Sequence, residues 1–111
     1  FVLAGWQGTN GDPQDFVGNL WTSAGYPMFN FTGYANPKVD KLAQDALLLT
    51  DQNERAALYK DAQAAIWDDA PWIFINSPAQ LVPVRTEVKG YTPSPLRIFF
   101  DLEKVSVESK K

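Results

Sequence analysis

Asn36-Pro37-Lys38-Val39-Asp40-Lys41-Leu42-Ala43-Gln44-Asp45-Ala46-Leu47, followed after a short break by Asp51-Gln52-Asn53-Glu54-Arg55 and on to Ala70-Pro71, is the stretch that decides the fold. Asn36 stands where an N-cap belongs, and Pro37 fills the first helical position, where a missing N–H costs nothing. Val39, Leu42, Ala43, Ala46 and Leu47 then recur at helical spacing, which predicts a helix to about Leu49. Asp51 to Glu54 matches a capping box, with Asp51 accepting from an orphan amide and Glu54 reaching back. Leu58, Ala62, Ala65 and Ile66 form the apolar stripe of a second helix, flanked by Tyr59 and Trp67. Pro71 stops it, because the residue before a proline is pushed out of the helical region. Two helices with a two- or three-residue break make a helical hairpin.

Outward from the hairpin the character changes on both sides. Toward the C-terminus lie five of the eight prolines and the β-branched runs. Trp72-Ile73-Phe74-Ile75 reads as a buried strand, and residues 80 to 88 as an extended piece that Pro83 confines to an edge. Lys89-Gly90-Tyr91 is a turn, and 97 to 100 and 102 to 107 are short strand candidates. Toward the N-terminus, residues 1 to 36 hold six of the seven glycines and eight of the fifteen aromatics, with Asp12 and Asp15 as their charged side chains. Phe1 to Trp6 reads as a strand, and Pro13 to Trp21 as a short helix capped by Asp12.

Between those two elements lies Gly5-Trp6-Gln7-Gly8-Thr9-Asn10-Gly11-Asp12-Pro13. Three glycines allow close backbone approach, an indole stands at the base, and Gln7, Thr9 and Asn10 offer amides and a hydroxyl. The glycine spacing of a phosphate loop is missing, as are a lysine and an arginine. Asp12 and Asp15, three residues apart across a helix start, suit the helix dipole better than the flanks of a scissile glycosidic bond. Asp68-Asp69 lacks the alternating oxygen ligands of a calcium loop and reads as a solvated helix end. Asn30-Phe31-Thr32 matches a glycosylation acceptor, a triplet that chance supplies often.

The 111 residues contain no cysteine and no histidine, so disulfides, thiol nucleophiles, zinc ribbons and imidazole bases are excluded. A net charge of −3 without a basic cluster argues against nucleic acid or an anionic membrane surface as partner. No apolar run approaches the ~20 residues that span a bilayer. The chain begins with Phe1, without a charged leader, and is expected to be a piece of a longer protein.

Taken in order, Gly5-Trp6, Gly11-Asp12-Pro13, Phe16, Asn30, Tyr34, Asn36 to Asp40, Asp51 to Arg55, Leu58-Tyr59-Lys60, Ala62-Gln63, Ala70-Pro71, Val84-Arg85 and Val88 to Tyr91 resemble the C-terminal part of the dipeptide- and oligopeptide-binding proteins, family 5 of the extracellular solute-binding proteins of ABC importers. The resemblance implies an α/β protein of two lobes, several times longer, that closes over a solute and delivers it to a membrane permease. Residues 1–111 would then be part of the C-terminal lobe, α+β as an isolated fragment: a helical hairpin packed on a small mixed sheet, with about 101–108 crossing back toward the first lobe. It implies a ligand-binding set of Trp6, Gln7, Thr9, Asn10 and Asp12, with Trp6 stacking on the ligand and Asp12 ordering the loop. It also implies no catalysis, no metal and no cofactor. The partners would be a peptide or related small molecule, the ABC permease and the remainder of the parent protein, in the periplasm or outside the cell, with a possible lipid anchor. Peptide-binding members carry an aspartate for the peptide's amino group where this chain has Thr9. That points to a ligand without such an amine or with the amine held elsewhere, and leaves sugars, metal complexes, haem and glutathione open. Two other classes compete: an autonomous carbohydrate-binding or adaptor module using exposed aromatics, and a carboxylate-only hydrolase.

Overall fold

A computed structural model describes residues 3–77, 79–96 and 101–109. Its elements are α1 (Gln14–Leu20), a 3₁₀ turn (Ser23–Gly25), α2 (Pro37–Leu47), α3 (Gln52–Asp69), β1 (Val88–Lys89) and β2 (Ser106–Val107). They fall into two compact units, Phe1–Phe74 and Ile75–Lys111.

In the first unit the capping chemistry places the helices. The Asn36 side chain accepts from the Lys38 N–H at 2.9 Å and starts α2. Asp51 Oδ1 accepts from the Asn53 and Glu54 N–H groups, each at 2.9 Å, and starts α3. Among the described residues only this Asp51 half of the capping box is formed. α2 ends at Leu47, two residues before the expected stop. α3 ends in a left-handed residue, Ala70 at φ 45°, whose N–H donates to both the Ile66 and Trp67 carbonyls. With Pro71 next, the helical continuation is closed to Ala70, and the left-handed cap satisfies the last carbonyls instead.

The core is built from α1 (Val17, Leu20), Trp21, α2 (Val39, Ala43, Ala46) and α3 (Tyr59, Ala62, Ile66). Small residues at Ala43, Ala46 and Ala62 let the two hairpin helices approach closely. The buried line of α3 therefore runs through Tyr59, Ala62 and Ile66, with Leu58 and Ala65 at its margin and Trp67 67% exposed. Residues 22–34 wrap around Asn30, which is fully buried. Its Nδ2 donates to the Thr22 and Tyr34 carbonyls at 3.0 and 2.7 Å, and its Oδ1 accepts from the Tyr34 N–H at 3.1 Å. The Tyr26–Pro27 bond in this segment is cis.

In the second unit β1 and β2 pair antiparallel, with Val88 opposite Val107 and Lys89 opposite Ser106. Gly90 leaves β1 at φ 74°, and a Cβ there would collide with the Lys104 carbonyl, so the turn requires glycine. This ribbon is the sheet of the described residues, and it is antiparallel, where a mixed sheet was expected. The class, helices with a small sheet, is α/β as anticipated. Trp72–Ile75 is not a strand: it has no ladder partner among the described residues, and Ile73 and Ile75 are exposed. Residues 3–6 are likewise outside any strand, and the strand candidate at 97–100 lies outside the described residues. No helix among the described residues is long and apolar enough to cross a membrane.

Candidate functional site

The glycine-rich loop keeps an irregular path from Leu3 to Pro13. Gly11 sits at φ 77°, a conformation that a side chain would strain. Beside it the Asn10 carbonyl oxygen Oδ1 accepts from the Asp12 N–H at 2.9 Å. These two features turn the chain into α1.

Two acids hold the loop, in different ways. Asp15, on α1, accepts through Oδ2 from both the Thr9 N–H and the Thr9 hydroxyl, at 2.5 and 2.9 Å, and through Oδ1 from Asn19 Nδ2 at 3.0 Å. These donors hold the Asp15 carboxyl below the usual carboxylate range, the Thr9 backbone N–H foremost. Asp12 accepts from the Gln14 N–H at 2.9 Å and so caps α1, the role expected of it, although the residue immediately before the helix is Pro13. Both Asp12 oxygens also take Arg55 Nη2 from α3, at 2.9 and 2.8 Å. The Gln14 N–H, and after it the Arg55 guanidinium, lower the Asp12 carboxyl against the opposing effect of burial.

Trp6 is half-buried and meets Phe29 edge to face, ring centroids 5.0 Å apart at 71°. Its Nε1–H is buried and faces the Asp15 carboxylate, helping to hold that carboxyl low. The five sequence-predicted residues therefore share one loop. Trp6 leans on the core, Gln7 is exposed, and Thr9, Asn10 and Asp12 each have polar atoms engaged within the chain.

Two participants escaped the sequence reading. Arg55 lies 43 residues from Asp12, and no local pattern links them. Asp69, expected to be merely solvated, accepts from the Tyr34 hydroxyl and from Asn36 Nδ2, each at 2.6 Å, tying the end of α3 to the start of α2. Burial, and next the bond to Asp69, push the Tyr34 hydroxyl up to about 12. Asp12, Asp15 and Asp69 are thus engaged structurally, and no cluster of three or more acids that could hold a metal occurs among the described residues.

A separate apolar cavity of about 290 Å³ opens between α1 and α3, lined by Phe16, Val17, Trp21, Gln63, Ile66, Trp67 and Phe74. None of the five loop residues lines it. Around it Trp21 meets Trp72 edge to face at 4.7 Å, and Trp67 stacks on Phe74 at 5.4 Å.

No family model matches the chain. It is 38% identical over 108 residues to the dipeptide-binding protein of Escherichia coli (strain K12), a match covering 96% of this chain and 20% of that protein. It is 40% identical over 93 residues to heme-binding protein A of Haemophilus influenzae, covering 84% and 17%. It is 36% identical over 97 residues to the glutathione-binding protein GsiB of Pectobacterium atrosepticum, covering 86% and 19%. Among solved structures, the ABC transporter-associated periplasmic binding protein DppA from Helicobacter pylori, in complex with the peptide STSA, matches with a TM-score of 0.77 and 34% identity, over 96% of this chain and 21% of that one. The chain spans about a fifth of the length of these relatives.

Proposed function

We propose, since this chain is homologous over most of its length to a segment of the dipeptide- and peptide-binding proteins of ABC transporters, that it forms part of the C-terminal lobe of a solute-binding protein. That protein captures a peptide or related small solute between two lobes in the periplasm and hands it unchanged to a membrane permease. The observation that carries this is the match of 96% of the chain, at 34% identity, to a periplasmic protein with a peptide bound.

The loop from Trp6 to Asp12 is the ligand-facing element, with Trp6 as the stacking group and Gln7, Thr9 and Asn10 as polar contacts. Asp12 orders the loop, which its bonds to Gln14 and Arg55 support. The residues near 101–108 lead back toward the first lobe. Nothing in the loop calls for bond-breaking chemistry: each carboxylate in it is held by donors of the chain itself, and the relatives are named as binding proteins. The names of those relatives span dipeptides, glutathione and heme, so the solute class is set by the identity of the loop residues rather than by the fold.

The experiment is calorimetry of the full-length protein with a dipeptide panel and with glutathione. Trp6→Ala is expected to weaken binding by at least about tenfold, which corresponds to about 1.4 kcal/mol. An unchanged affinity overturns the assignment of the loop.

A further inference from the structure

We infer, given that the loop faces the ligand as proposed above, that Arg55 is its positioning residue: α3 fixes where the glycine-rich loop stands through the Arg55–Asp12 ion pair. Arg55 does not touch the ligand in this scheme and acts through Asp12.

Residues 3–13 have no regular structure, are mostly exposed and include three glycines, so their own contacts do little to select one path. Beside the packing of Trp6 on Phe29 and the core, two ties made by carboxylates restrain them. The tie from Thr9 to Asp15 is local, six residues long, and moves with α1, itself only seven residues. The tie from Asp12 to Arg55 reaches a different element, an 18-residue helix packed against α2. The second tie joins the loop directly to a helix of the rigid hairpin.

The geometry on the α3 side is well supported. Arg55 Nη2 lies within 2.9 Å of both Asp12 oxygens. The guanidinium carbon stands 5.7 Å from the centroid of the Tyr59 ring, one turn along the helix. Tyr59 is buried, and its hydroxyl donates to Gln14 Oε1 at 3.0 Å. Arg55 and Tyr59 thus hold Asp12 and Gln14, the two polar residues that flank Pro13. From Asp12 the restraint passes on, because its N–H is bonded to Asn10 and its Oδ1 accepts from the Gln14 N–H. A ligand meeting a loop already held in place has less ordering to impose, which raises its affinity without a contact to Arg55.

The test compares Arg55→Gln, Asp12→Asn, the double variant and Arg55→Lys in the full-length protein. The readouts are amide hydrogen exchange and calorimetric titration with alanyl-alanine. Arg55→Gln is expected to speed exchange at the Asp12 and Gln14 amides by about tenfold or more, with the α2 amides unchanged, and to weaken alanyl-alanine binding by about tenfold. The double variant should be no weaker than Arg55→Gln, because the pair acts as one unit. Arg55→Lys, which keeps the charge, should recover part of both effects, and it carries the test if Arg55→Gln fails to fold. Unchanged exchange at Asp12 and Gln14, or losses of affinity that multiply in the double variant, would overturn the role of Arg55. If Trp6→Ala leaves the affinity of the wild type unchanged, the ligand-facing role of the loop fails, while the exchange data still decide whether Arg55 holds it.

Discussion

The hairpin of α2 and α3 and the glycine-rich loop lie in the same compact unit but are held by opposite kinds of force. The hairpin is closed by apolar contact through Val39, Ala43, Ala46, Tyr59, Ala62 and Ile66, with carboxylate or amide caps at its helix starts. The loop has an aromatic contact, Trp6 on Phe29, and polar bonds that are mostly to carboxylates: Asp15 on Thr9, and Asp12 on Gln14 and Arg55, beside the Asn10 amide on the Asp12 N–H. Apolar contact is spread over many atoms and tolerates changes of pH and salt. The loop's order rests on a few directed bonds that one substitution or a change of protonation can remove.

The largest effect that separates the two regions should come from the hairpin side. Ile66→Ala, at a site 4% exposed, is expected to cost about 3 kcal/mol through lost burial and a residual cavity, read as a fall in the thermal midpoint. Asn30→Ala strips four bonds from a fully buried site and should cost about 2 kcal/mol. That loss should appear as faster exchange in residues 22–34 before it appears in α3, and equal acceleration in both would show that the two are not separable.

Titration sharpens the contrast further. The folded-state pKa of Asp12 lies below its ordinary value of 3.8. Its bonds therefore stabilise the fold above that value and lose their contribution as pH falls through the lower, folded one. The loop amides should open in acid at a pH where the hairpin amides are still protected; simultaneous opening would refute the separation. At the alkaline end the sign reverses. The Tyr34 hydroxyl is raised from 10.0 to about 12, so its bond to Asp69 is fully present below pH 10 and is lost as pH rises through about 12. The smallest effect is expected at Ala70. Its left-handed conformation costs a residue with a Cβ about 1 kcal/mol, and Ala70→Gly should raise stability by somewhat less than that, because glycine also frees the unfolded chain.

Both hairpin helices were legible because their signals are local. Asn36-Pro37 and Asp51 announce their helix starts within four residues, and both side chains cap backbone amides of the helices they start. Asp12 was legible as a cap for the same reason. The loop's other restraints were not, since nothing within a turn of Arg55 points to a carboxylate 43 residues earlier, nor does anything near Asp69 point to Tyr34. The strand expected at Trp72–Ile75 shows the reverse failure. An apolar run signals burial, but a strand exists only when another chain segment completes its ladder, and among the described residues none does. The glycines and the indole marked the loop, and the family resemblance implied a ligand-binding role for it, but neither could say which of its polar atoms are already engaged.

Asn30 also opens the triplet Asn30-Phe31-Thr32, the acceptor signature for N-linked sugar. Its side-chain nitrogen is the atom that would carry the glycan, and in the folded chain that nitrogen is bonded to two carbonyls inside a fully buried site. A eukaryotic secretory host presents the triplet to its transferase while the chain is still unfolded, and any copy modified then cannot close residues 22–34 around the amide. One buried hydrogen-bonding group thus bears on the choice of production host: a sugar on the Asn30 nitrogen and the two carbonyl bonds of the fold exclude one another, which favours a host without that transferase.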